Sequence, residues 1–224
     1  MLASLALALS LSSPALVELY SSEGCSSCPP AEALLRELAA APDVVALEFH
    51  VDYWNSLGWT DRFSSPAYSE RQSRCAAWRG TEQVFTPEAV IDGRGGLVGS
   101  DAAGMAQGLA RARGEAKVAL ALRVERASLT VQGDAVPAGT LWVAVTETGL
   151  ASVVARGENR GETLRHGPVV RSYQELGPVA AGPLVRKVPL AIDPAWKRSK
   201  LRVVAVVQDP GTGRVLALGE LRGL

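Results

Sequence analysis

Cys25 and Cys28 stand three positions apart in Gly24-Cys25-Ser26-Ser27-Cys28-Pro29-Pro30, a spacing that suits thiol–disulfide exchange. The stretch before them, Leu16-Val17-Glu18-Leu19-Tyr20, is apolar and β-prone. After them Ala31, Leu34, Leu35, Leu38 and Ala39 recur at helical intervals. The cysteines therefore open an amphipathic helix. A thiol at a helix N-terminus faces unpartnered backbone N–H groups and the positive end of the dipole. Its thiolate is favoured there, and its pKa falls below ~8.5. Pro29 and Pro30 suit a first turn, where no N–H partner is required. Cys25 is the more exposed sulfur in this geometry and the expected nucleophile; Cys28, one turn in, is the expected resolving thiol. An inert structural disulfide and a metal site are the competing interpretations. A closed zinc site needs four ligands. The sequence adds only Cys75, His50 and His166, with no second C-x-x-C and no H-x-x-x-H pair. Soft thiolates with His50 would suit Cu(I), which makes metal binding or delivery the alternative function. A third possibility is a non-catalytic binding protein, since fold does not fix function.

Other chemistry-bearing residues lie on the elements that must flank this helix. Glu18 falls inside the first strand, where a buried carboxylate is costly unless paired. Val44 to Asp52 forms the next strand, and a strand–helix–strand unit of this length favours a parallel crossover. His50 and Asp52 end that strand on one face; with Glu18 they are candidates for proton transfer to a thiol, or for structural hydrogen bonds. The following loop holds Tyr53, Trp54, Trp59 and Phe63 within eleven residues. It is either a substrate wall beside the thiols or a small core of its own. Ser65 and Pro66 start a second helix that runs to Gly80 and carries Cys75, expected as a buried free thiol. A third strand contains Thr86-Pro87 and ends at Asp92-Gly93; Leu97-Val98-Gly99 returns as a hairpin, and Ala102 to Arg113 is a third helix.

The 224-residue chain has 23 basic and 23 acidic side chains, a balance that gives nucleic-acid binding no support. Residues 1–15 are rich in Leu, Ala and Ser and end in Ser13-Pro14-Ala15, the pattern of a secretory signal peptide. That predicts a periplasmic or secreted protein in an oxidising compartment, with no membrane attachment in the mature form. From Lys117 the sequence changes to about seven short strands punctuated by Gly and Pro, which predicts a β-sandwich. Between two of these strands lies a charged stretch, Arg156-Gly157-Glu158-Asn159-Arg160-Gly161-Glu162-Thr163-Leu164-Arg165-His166. It is either a solvated hairpin loop or a recognition loop reaching the first domain through Glu158, Asn159 and His166. The neighbours expected for those three are residues 53–63, or His50 and Asp52.

The element order, with C-x-x-C opening the first helix and Thr-Pro at the third strand, resembles the thioredoxin fold. By that resemblance Pro87 is cis, faces the dithiol and holds substrate backbone, with Thr86 before it; Trp54 and Trp59 of the aromatic loop are the other candidate substrate-binding residues. Gly-Cys-Ser-Ser-Cys-Pro-Pro, Phe49-His50-Val51-Asp52-Tyr53-Trp54, Leu57-Gly58-Trp59 and Thr86-Pro87 are together similar to a family of uncharacterised bacterial secreted proteins. That family is thioredoxin-like and carries a C-terminal extension, to which Gly157-Glu158-Asn159 and Leu164-Arg165-His166 are similar. The expectation is an α/β thioredoxin-like domain over residues 16–115, followed by an all-β sandwich-like domain over 116–224. The expected activity is thiol–disulfide exchange with protein thiols or disulfides, with no cofactor called for and no metal ligand assigned.

Overall fold

A computed structural model describes residues 13–224. The first twelve residues of the expected leader lie outside the described residues.

The first half alternates strands and helices. Strand β1 (Ala15–Ser21), helix α1 (Pro29–Leu38) and strand β2 (Val44–His50) form one unit, and β1 pairs with β2 in parallel. Helix α2 (Pro66–Trp78) begins at Ser65, whose hydroxyl accepts from the Ala67 N–H, with Pro66 in the first turn. Strand β3 (Glu88–Ile91) pairs antiparallel with β1 and with β4 (Arg94–Val98). Helix α3 (Ala102–Arg113) starts at Asp101, which accepts from the Gly104 N–H. The α1 and α3 helices cover one face of this region through Ala31, Leu35, Met105 and Leu109.

The second half contains β5 (Val118–Ala119), β6 (Ala121–Glu125), β7 (Ser128–Val136), β8 (Gly139–Glu147), β9 (Ala151–Val153), β10 (Thr163–Arg165), β11 (Val169–Val179), β12 (Gly182–Pro189), β13 (Leu201–Gln208) and β14 (Val215–Arg222). It does not form a separate sandwich. Strand β11 docks beside β2, with Val169 opposite Glu48 and the Glu48 N–H donating to Pro168 O. A single mixed sheet of nine strands results, in the order β4-β3-β1-β2-β11-β8-β13-β14-β5. A three-stranded sheet, β12-β7-β6, packs on the part of it formed by β8 and β13.

This overturns the expected fold class, an α/β thioredoxin-like domain followed by an all-β sandwich. Among the described residues strand accounts for 42% and helix for 20%, so the molecule is mostly β with three α-helices. The physical reason lies in β8 and β13. A sandwich strand alternates between core and water, but Leu141 to Glu147 and Val203 to Gln208 are buried without alternation. Such strands need cover on both faces. On one face β12, β7 and β6 supply it; on the other, Trp142, Ala144, Val204 and Val206 join Leu16, Tyr20, Phe49 and Tyr68 in one cluster with α2. Each fully buried large apolar side chain contributes about 1.5–3 kcal/mol, so a cluster shared by the two halves binds them strongly. The seam is tight elsewhere too. Gly93 (φ 75°) turns so close to Gly213 that an added Cβ would lie 1.6 Å from the Gly213 carbonyl oxygen.

Candidate functional site

Cys25 and Cys28 form a disulfide immediately before α1, with Cys28 at the N-cap position and no side chain capping the helix. Both cysteines are buried, while Ser26 and Ser27 between them are exposed. The cover comes from two directions. The loop between β9 and β10 reaches over: Asn159 Nδ2 donates to the carbonyls of Glu23 (2.9 Å) and Cys25 (3.0 Å). The Ser26 N–H and hydroxyl both donate to Glu158 Oε2, at 3.0 and 2.7 Å. These bonds hold the Glu158 carboxyl below its usual range. The aromatic loop after β2 supplies the other side. Trp54 lies against Gly24, and Trp59 lies against Gly157 and donates to Glu23 Oε2 at 2.7 Å. The surface therefore covers the sulfurs rather than opening to them.

Thr86 and Pro87 lie next to this region. The Thr86–Pro87 bond is cis. Trp54 Nε1 donates to Thr86 Oγ1 at 2.9 Å, which ties the aromatic loop to the strand start. Gly99 separates Pro87 from the first turn of α1: a Cβ there would meet Ala31 Cβ at 3.1 Å and Pro87 Cβ at 3.4 Å. Glu18 is engaged elsewhere. It pairs through both oxygens with Arg71 of α2, at 2.5 and 2.9 Å, and accepts from Tyr20 Oη. Asp52 accepts from Ser69 Oγ at the start of α2. Neither carboxylate hydrogen-bonds to Cys25 or Cys28.

His50 and His166 meet in a buried cluster behind α1, with ring centroids 5.0 Å apart. His50 Nδ1 lies 2.6 Å from Asp61 Oδ2, and its Nε2 lies 2.7 Å from Glu48 Oε1. His166 Nδ1 lies 3.1 Å from Glu32 Oε2 and 3.4 Å from Glu48 Oε1; its Nε2 lies 3.2 Å from Ser152 Oγ. Burial opposes protonation of both rings, but the carboxylates outweigh it. Asp61 and Glu48 raise His50 to about 10, and Glu23, Glu32 and Glu48 raise His166 to about 12. Burial also opposes ionisation of Glu48, yet its hydrogen bonds to the two rings lower it to about 2. Burial and the Glu48 charge raise Glu32. The Gly167 N–H donates to Glu48 Oε2, and a Cβ at Gly167 would lie 2.6 Å from that oxygen, so a side chain there would push the carboxylate aside.

The chain thus brings Glu158, Asn159 and His166 onto the first half. Asn159 and Glu158 reach the cysteine loop itself rather than residues 53–63, and His166 reaches His50, Phe63 and Glu32. His50 does not join the cysteines, since both its nitrogens face carboxylates. Sequence reasoning missed Glu23, Glu32, Glu48 and Asp61. Two signals were present. Glu48 and His50 share one face of an otherwise apolar strand, and Glu32 interrupts the apolar face of α1 beside Ala31 and Leu35. A concavity of about 510 Å³ borders His166, Arg36, Arg165 and Arg202, but neither cysteine lines it.

Fold and site together define a mostly-β protein with a capped disulfide at a helix start. Its sequence matches the family model "Protein of unknown function (DUF1223)" over residues 16–208, and the chain belongs to that family. It is similar to the crystal structure of protein AGR_C_4864 from Agrobacterium tumefaciens, with 29% identity, 95% of each chain covered and a TM-score of 0.76. A match to the solution structure of R. palustris CsgH has 16% identity, 47% of this chain and 90% of that chain covered, and a TM-score of 0.22, too low to bear on the fold. No curated protein matches the chain.

Proposed function

We propose that this chain is an exported thiol–disulfide oxidoreductase acting through Cys25 and Cys28. The observation that carries this proposal is the disulfide's position at the start of α1, where a thiolate released from it meets the positive end of the helix dipole. In the reduced protein the Cys25 thiolate attacks one sulfur of a partner disulfide. A Cys25–partner bond forms, and the partner's other sulfur leaves as a thiolate. The Cys28 thiolate then attacks Cys25 Sγ, closing the Cys25–Cys28 bond and releasing the second partner sulfur. The partner gains two electrons and, with two protons, becomes a dithiol; the protein is left oxidised. The same steps in reverse oxidise a partner dithiol.

Pro87 and Thr86 form the proposed substrate edge on one side, and Trp54 and Trp59 the other. Asn159 and Glu158 close the front and must withdraw before a protein partner reaches Cys25. The proposed compartment is periplasmic or secreted, where protein thiols and disulfides are the partners.

Trapping tests the proposal. Cys28→Ser leaves the attacking thiol without its resolving partner, so it should hold protein partners as adducts that dithiothreitol releases. Cys25→Ser should hold far fewer. Equal trapping by both variants, or none by either, would contradict the assigned roles.

A further inference from the structure

Glu32, Glu48, His50 and His166 are distant in sequence, and one ligand atom from each lies within 4.8 Å of the others. We propose that they form a closed four-coordinate site for a divalent transition-metal ion of the zinc type, bound by His50 Nε2, His166 Nδ1, Glu48 Oε1 and Glu32 Oε2.

Three of the six separations between these atoms lie near the tetrahedral spacing, and the four residues' ligand atoms all lie within 4.8 Å of one another. His50 Nε2 to Glu48 Oε1 is 2.7 Å, His166 Nδ1 to Glu32 Oε2 is 3.1 Å, and His166 Nδ1 to Glu48 Oε1 is 3.4 Å. Ligands about 2.0–2.1 Å from a tetrahedral zinc ion stand roughly 3.3 Å apart. Small side-chain adjustments would bring all four to that spacing.

Each ligand is anchored by its other polar atom. Glu32 Oε1 accepts from Ser21 Oγ at 2.6 Å, and Glu48 Oε2 accepts from the Gly167 N–H, which leaves one oxygen of each to face the site. His50 presents its Nδ1 to Asp61, and His166 presents its Nε2 to Ser152. Outward hydrogen bonds of this kind fix the tautomer and orientation of metal-ligating imidazoles.

Two further observations point the same way. Glu23, also fully buried, sets its Oε1 at 3.6 Å from His166 Nε2, beyond hydrogen-bond range and with no other partner. A ring metallated at Nδ1 must carry its remaining proton on Nε2, facing Ser152 and this oxygen. Four buried carboxylates (Glu23, Glu32, Glu48 and Asp61) also surround only two imidazoles. A divalent ion bound among them would balance part of this buried negative charge.

No cysteine is a ligand, so the site is distinct from the dithiol and from a thiolate copper site. Its closed coordination and burial suit a structural ion. The ion would clamp α1, β2 and the segment after β10, fixing the base of the hairpin that covers the disulfide.

The test uses the full chain, stripped with EDTA, reloaded with ZnCl2 and passed through gel filtration before elemental analysis. One zinc per chain is expected, with a rise in Tm. The double variant Cys25→Ser/Cys28→Ser should retain it, whereas His166→Ala and Glu32→Gln should lose it. Asp61→Asn should weaken zinc affinity about 10–100-fold. Should His166→Ala fail to fold, Glu32→Gln, which preserves size, decides. Absence of zinc from the wild-type chain, full retention by Glu32→Gln, or loss on replacing the cysteines would each overturn the site.

Discussion

Cys75 and Cys25 are both buried, but Cys25 is held in a disulfide and Cys75 is a free thiol. Cys75 lies within α2 with its sulfur 3.4 Å from Tyr20 Oη. Burial, reinforced by the charge of Glu18, pushes its thiol up to about 11. A raised thiol pKa favours the folded state below the ordinary value near 9, and that contribution is lost as pH rises through about 11. Cys75 should therefore resist iodoacetamide in the native protein at pH 8 and react only near or above pH 11; labelling at pH 8 equal to that in urea would contradict this. Its neighbour Arg71 is fully buried, paired with Glu18 and stacked 4.2 Å over Trp142. Arg71→Ala leaves the Glu18 carboxylate uncompensated and should cost about 3–5 kcal/mol in urea unfolding. The sequence marked Glu18 as a costly buried acid, but its partner could not be found there. Arg71 is one of several polar residues on α2, and nothing in its local pattern sets it apart.

In the proposed mechanism the β9–β10 hairpin, which bonds to the cysteine loop, controls access to the disulfide. Two of its hydrogen bonds come from buried Asn159 and end on the cysteine loop. Asn159→Ala leaves the Glu23 carbonyl unpaired and the Cys25 carbonyl with only the Cys28 N–H, a loss of about 1–3 kcal/mol that should speed disulfide reduction by about 5–150-fold. Mass spectrometry after timed exposure to a phosphine reductant reads the rate; an unchanged rate would show that the hairpin does not limit access. Glu158 adds a pH term. Its carboxyl is depressed by the Ser26 hydroxyl and N–H, so the latch is fully made above about 4.5 and weakens as pH falls through the lowered value. Phosphine reduction should accelerate as pH falls through that lowered value in the wild-type chain, and this step should vanish in Glu158→Ala. The charge density of residues 156–166 was visible in the sequence, and so was their possible reach toward the first half. The target was not, because a loop's landing point depends on strand pairing far from it.

One sheet runs through the whole molecule, and its behaviour should reflect that. Tryptophan fluorescence and far-UV circular dichroism should report a single coincident unfolding transition, since Trp142 and Phe49 belong to one core. A fragment of residues 16–115 would expose the β2 edge and strip α2 of half its cover, and it should not fold alone. Two separated transitions, or a folded fragment, would argue for independent halves. Most of the individual strands and all three helices were legible from hydrophobic periodicity and caps such as Ser65-Pro66. The joining of β2 to β11 was not. It rests on one residue pair, Glu48 with Val169, and no local pattern encodes a long-range edge. The unbroken apolar run Leu141 to Val145 was the available hint of strands covered on both faces. The central claim, that this molecule holds Cys25–Cys28 as a working redox couple, is tested most directly by its reduction potential. Equilibration of the full chain in glutathione or dithiothreitol buffers, acid-quenched and resolved by mass, gives that value. The account predicts a potential between about −120 and −270 mV, the range of exchange-active dithiols, and a potential below about −300 mV would mark a structural disulfide and contradict it.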